Sequence, residues 1–414
     1  MPSVDINVNR IERNSEIKSL VDEIAPSAIT TRHHLHQNPE LSHLETETAA
    51  FVQTRLQSLG LDEVRPNIGG HGVVGILHGT AGEARNGPTF AIRADMDALP
   101  IQELSNLPYR SCKTGIMHAC GHDGHTATLL GAAAVLSRLR HQFQGTVQFI
   151  FQPAEETVGG ASEMCSEGVM EGVDAIVALH GWPGMDIGKI GVRAGPMMAS
   201  ADTFDITIRG RGAHAAMPHI GVDPILIGAQ IVTALQSLVS REVSPVEPLV
   251  VTIAQFHAGT AYNIIPGIAE LKGTVRCLSR ELRPEMPQRI ERIVRGICES
   301  MRAEYTFGYR FGTPVTVNDV KINALVAEVG DEVLGSDNVV SLESPSMGAE
   351  DFAVYLEHAP GAMFRLGVGS EVTPLHTPTY NFSDAAVPVG MELFTRIALR
   401  YLNEGKSVPI LTRN

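Results

Sequence analysis

Residues 117–127 read MHACGHDGHTA and place His118, Cys120, His122, Asp123 and His125 within eight positions, with Gly121 and Gly124 between them. Imidazole, thiol and carboxylate groups ligate divalent metals or form nucleophile–base pairs. Similar groups recur along the chain. Asp95 and Asp97 close the apolar run PTFAIRADMD (88–97), Glu155 and Glu156 close GTVQFIFQPAEE (145–156), His180 closes VDAIVALH (173–180), and His376 lies in PLHTPTY. A lone strand-end histidine is ordinarily structural, and adjacent glutamates are ordinarily solvated. Here each follows a buried-type run, and together they make the mixed donor set of a catalytic metal site with open positions. The C-x-H spacing of ACGH lacks the second nearby pair that a structural zinc knuckle needs. A rival chemistry is Cys120 as a nucleophile activated by His118, His122 or His125, but it has no use for two consecutive glutamates and a further histidine. A non-catalytic metal- or peptide-binding module is the other alternative, and turnover separates it from an enzyme.

Such groups need elements that carry them to one place. A helical pattern runs over about 16–60 and closes on Gly60. The run GVVGIL (72–77) and the three runs above alternate with a helix over 122–140, whose Leu129, Ala132, Ala133, Leu136 and Leu139 share a side. This pattern predicts an α/β layer with its sheet covered on both faces. Ligands of such sheets collect beyond the carboxyl ends of the strands, where Asp95, Asp97, Glu155, Glu156 and His180 stand.

The middle of the chain reads differently. ADTFDITIRG (201–210) alternates strictly, followed by a helix over 223–240 and the strands LVVTIAQF (249–256) and AELKGTVRCL (269–278). An amphipathic helix through Ile290, Ile293, Val294, Ile297 and Met301 and a strand near 305–317 complete it. The order β-α-β-β-α-β predicts a ferredoxin-like α+β insert over 195–312 with one sheet face open. A helix (321–334), a strand (338–343), a short helix (350–357), a strand (362–369) and a last helix (388–403) then resume the α/β pattern. The first domain is therefore expected in two pieces, 1–194 and 313–414.

A chain of 414 residues exceeds one ordinary core, and 43% hydrophobic with 19% charged residues suits a compact soluble protein. The formal net charge of -14, without a basic cluster, argues against nucleic acid or an anionic membrane surface as partner. The N-terminal segment is charged throughout, unlike a signal peptide, and no run approaches the roughly 18 apolar residues of a membrane span. Five irregularly spaced cysteines (112, 120, 165, 277 and 298) fit a reducing compartment, so a cytoplasmic location is expected.

MHACGHDGHTA, FQPAEE, GAHAAMPHIGVDPI, NIIPGIAELKGTVR, MGAEDFAVY and LHTPTYNFSD stand in this order between HLHQNPELS (34–42) and the last helix. Together they resemble the M20 metallopeptidases, in particular the N-acyl-amino-acid amidohydrolase branch with hippurate hydrolases and plant auxin-conjugate hydrolases. The resemblance implies a zinc-peptidase-like mixed sheet with helices on both faces and an inserted lid that dimerises. It implies two divalent ions per subunit held by Cys120, His122, Glu156, His180 and His376, with Glu155 as general base and Asp97 orienting a metal-binding group. In the insert it implies His214 as a donor to the oxyanion, often across the dimer, and Asn263 and Arg276 as substrate residues. Arg276 is suited to a bidentate pairing with a free α-carboxylate. The implied reaction is hydrolysis of N-acyl-L-amino acids, with a carboxypeptidase or dipeptidase of the same clan as the alternative. One departure stands out: in ADMD, Asp95 occupies a position where many members carry histidine. The Cys120 thiolate favours zinc, whereas carboxylate and imidazole donors also accept manganese, cobalt or nickel. His118, Asp123 and His125 are expected behind the ligands or in packing, and Trp182 as a wall of the site.

Overall fold

The alternating runs form an eight-stranded mixed sheet in a computed structural model that describes residues 3–82, 87–157 and 159–404. Its strands are β1 (Glu63–Ile68), β2 (Gly72–His78), β3 (Thr89–Asp95), β4 (Thr146–Gln152), β5 (Ala175–Trp182), β6 (Ile190–Val192), β7 (Val339–Ser341) and β8 (Gly361–Gly367). They lie in the order β1-β2-β4-β3-β5-β8-β6-β7. The central four, β4, β3, β5 and β8, run parallel, so their carboxyl ends share one edge. β1 was not anticipated, because its Pro66 and half-exposed pattern are those of an edge strand and not of a buried run.

One face of the sheet carries α1 (Ser3–Gln37), α2 (Thr46–Ser58), α3 (His122–Arg138), α4 (Val320–Leu334) and α5 (Ala386–Glu404). Phe90, Ile92, Phe149, Phe151, Val177, Leu179 and Phe364 from the strands pack there with Leu129, Leu136, Val326, Met391 and Phe394 from the helices. On the opposite face, Met164 and Tyr355 are buried, and the Tyr355 hydroxyl donates to Met164 Sδ at 3.5 Å. The pattern expected over 16–60 divides into α1 and α2. The intervening NPELS loop holds Pro39 and ties to the sheet through a bridge from Leu41 to Ala98. The one-sided stripe expected for α3 understates its burial. Residues 122–133 are all buried, because α1 and α5 pack against the helix as well as the sheet.

A second compact unit comprises residues 196–316 with 345–353, where the sequence pointed to 195–312. Its antiparallel sheet is ordered Leu249–Ala258, Ile268–Cys277, Ala201–Arg209, Glu304–Thr313. Helices Pro224–Ser237 and Met286–Ser300 cover one face, where Phe204, Ile206, Ile208, Leu271 and Val275 meet Ile227, Ile231, Ile290 and Val294. Asp223 caps the first helix by accepting from the Ile225 N–H at 2.9 Å, ahead of Pro224 at the first helical position. On this unit's surface Val250 and Phe256 of the edge strand, and Ile225 and Leu226 of the first helix, are exposed.

Buried charge locks α1 to α3. Arg32, fully buried, donates Nε to Asp384 at 2.7 Å and Nη1 to Asp123 at 3.2 Å and Asn381 at 3.0 Å. His36 directs Nδ1 to Asp123 at 2.9 Å and Nε2 to Glu103 at 3.3 Å, so both ring nitrogens face carboxylates. Burial alone would depress the imidazole pKa, but Asp123 and Glu103 outweigh it and raise it to about 9. The stabilisation is therefore complete below the unfolded-state pKa near 6.5 and is lost as pH rises through about 9. We expect wild-type stability to fall by up to about 3 kcal/mol between pH 6.5 and 9.5 from this group. Denaturation midpoints across that range would show the slope, and a His36→Gln variant should lack it. An equal slope in both proteins would remove His36 as its source.

Candidate metal centre

β3 delivers Asp95 and, two residues on, Asp97; β4 leads through Pro153 and Ala154 to Glu155 and Glu156; β5 delivers His180; and the loop after β8 carries His376. α3 begins at His122, just after Cys120. Two glycines permit this approach. Gly121 has φ 93°, and a Cβ there would sit 2.8 Å from the Tyr380 hydroxyl; one on Gly124 would sit 2.4 Å from the Phe382 ring. The His376 N–H donates to Ala119 O at 2.8 Å, joining the last loop to the ACGH turn. Ala154 (φ 51°) and His376 (φ 60°) are both left-handed without being glycine. That conformation costs roughly 1–2 kcal/mol per residue and is typically retained where a site demands it.

The donor atoms converge. Single ligand atoms of Cys120, His122 and His180 lie within 4.8 Å of one another, as do those of Cys120, Glu156 and His376, and those of His122, Glu155 and Glu156. The His180 Nδ1–H donates to Gly181 O at 2.9 Å, leaving Nε2 as a lone pair 3.4 Å from Cys120 Sγ. Burial and the neighbouring His125 push the His180 pKa down to about 3, so the ring is a neutral donor. The His122 Nδ1–H donates to Asp97 O (3.0 Å) and Asp97 Oδ1 (3.1 Å), and its Nε2, buried, has no hydrogen-bond partner among the described residues. Glu156 Oε1 is likewise buried without a hydrogen-bond partner among the described residues, and lies at ion-pair distance from His122 Nε2 (3.9 Å) and His376 Nε2 (3.5 Å).

Orphaned buried polar atoms are costly unless something occupies the space they face. The thiol, imidazole and carboxylate set aimed at one point fits divalent cations held by Cys120, His122, Glu156, His180 and His376. Burial, followed by the Glu156 charge, holds the Cys120 thiol well above its usual pKa. That is the reverse of what a cysteine nucleophile needs. A bound cation would ionise it outright.

A further cluster, Asp95, His122 and His125, is equally compact. The polar atoms of Asp95 and His125 are already spent. Asp95 accepts from Arg93 Nη1 at 2.7 Å and from the His125 Nδ1–H at 2.6 Å, and His125 Nε2 accepts the Gly181 N–H at 2.8 Å. Asp95 and His125 therefore brace β3 against β5 from behind the donors. Asp123 belongs to the Arg32–His36 lock, while both nitrogens of His118 are buried without a partner. Trp182 meets the His180 ring edge-on at 6.0 Å between centroids, with the Arg365 guanidinium 3.6 Å over its own ring.

His214, Asn263 and Arg276 lie in the second unit. His214 pairs with Ile264 on a two-stranded ribbon, and the Ala215 N–H donates to Asn263 O at 3.0 Å, so these two residues are neighbours. The Ala216 N–H donates to His214 Nδ1 at 3.0 Å, which leaves the proton of the neutral ring on Nε2. Arg276 is on the strand Ile268–Cys277 opposite Val250. Eight residues of extended chain separate it from Ile268, roughly 26 Å, and the His214–Asn263 ribbon lies beyond Ile268. Sequence reasoning passed over Ser42 and Glu45, which sit in the α1–α2 loop and contact Asp97 and Ala154. Nothing in their own spacing signals a site.

The model of the peptidase family M20/M25/M40 matches residues 91–400, and the chain belongs to that family. It is an M20 hydrolase. It is 50% identical over 305 residues to an N-acyl-L-amino acid amidohydrolase of Geobacillus stearothermophilus, covering 73% of this chain and 81% of that one. It is 40% identical over 374 residues to a hippurate hydrolase of Campylobacter jejuni, covering 90% and 95%. Its fold matches a dinuclear metal-binding M20 peptidase of Bacillus subtilis with a TM-score of 0.81 at 37% identity, covering 92% and 99%. Among the described residues, no helix is long and apolar enough to cross a membrane.

Asp97 fixes the tautomer and orientation of His122 from behind it, and losing such a partner ordinarily costs 10–100-fold in metal affinity. Asp97→Asn is expected to weaken metal binding by roughly that factor in competition with a chelator. Unchanged affinity would deny Asp97 the role.

Proposed function

We propose that the chain hydrolyses the amide bond of N-acyl-L-amino acids, releasing a carboxylic acid and a free amino acid. The observation that carries this reading is the convergence of Cys120, His122, Glu156, His180 and His376 with Glu155 directly beside them. The amidohydrolase and hippurate hydrolase among its relatives direct that site toward acylated amino acids. Two divalent ions per subunit, zinc first with manganese, cobalt or nickel also suited, supply Lewis-acid activation of water and of the scissile carbonyl. A cytoplasmic, reducing setting would keep the Cys120 ligand as a thiol.

The two glutamates divide the work. Glu156 turns its orphaned Oε1 toward His122 and His376 as a ligand. Glu155 takes the proton from the attacking water and returns it to the leaving nitrogen. His214, whose Nε2 carries the proton, donates to the oxyanion. Asn263 engages the substrate, and Arg276, with no ion pair among the described residues, pairs with its α-carboxylate.

An N-acyl amino acid is far shorter than the roughly 26 Å that separates Arg276 from the end of the strand nearest His214 and Asn263. All three engage one substrate only if two copies contribute. This supports a homodimer built through the ferredoxin-like insert, which acts as the lid. The apolar Val250, Phe256, Ile225 and Leu226 offer that unit a self-complementary surface.

Glu155→Ala is expected to abolish turnover while metal content stays near wild type; metal loss would mean that the pair has been assigned in reverse. On a panel of acylated amino acids and dipeptides, N-acetyl or N-benzoyl amino acids should be cleaved faster. Faster dipeptide cleavage would favour the peptidase alternative. His214→Ala should lower kcat by about 10²–10³, the usual cost of one oxyanion donor. Mixing it with Glu155→Ala protein should restore part of the activity, because the mixed dimer regains one complete site. No recovery would argue against exchange between copies.

A further inference from the structure

Glu45 opens α2 at the position where an acidic side chain ordinarily accepts from the first N–H groups of its own helix. It makes no such bond. Its carboxyl, on a fully buried residue, turns to the end of β4 and accepts the Ala154 N–H at 2.8 Å through Oε1, while Oε2 is buried with no hydrogen-bond partner that meets ordinary geometry among the described residues. Ala154 is left-handed and fully buried, and it immediately precedes Glu155 and Glu156. A left-handed alanine relaxes unless its surroundings hold it. The same loop carries Ser42, whose hydroxyl donates to Asp97 Oδ2 at 2.7 Å; Asp97 Oδ2 in turn accepts the Glu156 N–H at 3.0 Å. The Glu40 carbonyl accepts the Ala98 N–H at 2.8 Å. Residues 40–45 thus brace both acidic strand ends, with Glu45 holding the Ala154 amide of the turn that leads into the glutamate pair.

We propose that Glu45 is a positioning residue for the general base, holding the Ala154 amide so that the left-handed turn presents Glu155 in its working orientation. This rests on the assignment of Glu155 above. Burial pushes the Glu45 carboxyl up to about 7, so the bond to Ala154 is maintained despite a cost in solvation. What the position requires is an acceptor of this length and not a full charge.

Two nearly isosteric variants separate the possibilities. Glu45→Gln keeps an amide oxygen for the Ala154 N–H, whereas Glu45→Met fills the same space and accepts nothing. On any substrate that the wild type cleaves, Glu45→Gln should hold kcat within about threefold. Glu45→Met should lose about 10–100-fold in kcat with KM within about twofold and metal content unchanged. Amide hydrogen exchange over residues 153–157 should accelerate in Glu45→Met alone. Adding Ala154→Gly to Glu45→Met should recover part of the kcat, since glycine adopts the turn unaided.

Equal losses in both variants, full activity in both, or metal loss in Glu45→Met would each overturn the proposal. Should Glu45→Met fail to fold, a tenfold loss in Glu45→Gln would do the same, because that variant preserves the bond. Turnover surviving in Glu155→Ala would sink the base assignment itself. A wild type inert toward acyl amino acids would sink the substrate reading, while the exchange comparison would still report on the brace.

Discussion

The carboxylate of Asp97 is the interaction on which the rest of the centre hangs. It accepts from the Ser42 hydroxyl, the Glu156 N–H and the His122 imidazole, which belong to three separate segments of the chain. Burial opposes its charge, but these donors hold its pKa below the ordinary carboxylate range. A single fixed charge thereby sets which nitrogen of His122 is protonated, where the backbone of the glutamate pair begins and how the α1–α2 loop lies.

Behind this hub the groups are arranged by whether their polar atoms are spent. Asp95 and His125 satisfy each other together with Arg93 and the Gly181 N–H, so they are rigid and chemically quiet. His122 and Glu156 each hold a buried atom with no hydrogen-bond partner among the described residues. The contrast gives Asp95 a bracing task. Its strand-end position is used to buttress β3 against β5, and the electron pairs aimed at the open point come from other residues.

Much of this was legible in the sequence because strand ends announce themselves. A buried-type run that stops at polar residues marks the carboxyl edge of a parallel strand, so Asp97, Glu155, Glu156 and His180 are placed by the sequence alone. The alternation of ADTFDITIRG likewise identified Phe204, Ile206 and Ile208 as the inward face of their strand. The rest was hidden for definite reasons. Ser42 and Glu45 act through backbone and side-chain atoms brought together by the tertiary fold, so their local spacing says nothing. β1 is an edge strand whose proline and exposed positions imitate a loop. The burial of α3 on all sides depends on α1 and α5, far away in sequence, and its own pattern shows only the stripe facing the sheet.

The close packing at the head of α3 has a consequence for how such a protein could change over generations. At Gly121 and Gly124 even one added methyl group meets Tyr380 or Phe382, so this helix offers selection almost no small steps to try. Change would have to enter on looser ground: connecting loops, the exposed ribbon around His214 and the outer faces of the second unit. The close-packed head of this helix then acts as a fixed inheritance around which the rest of the chain is free to drift.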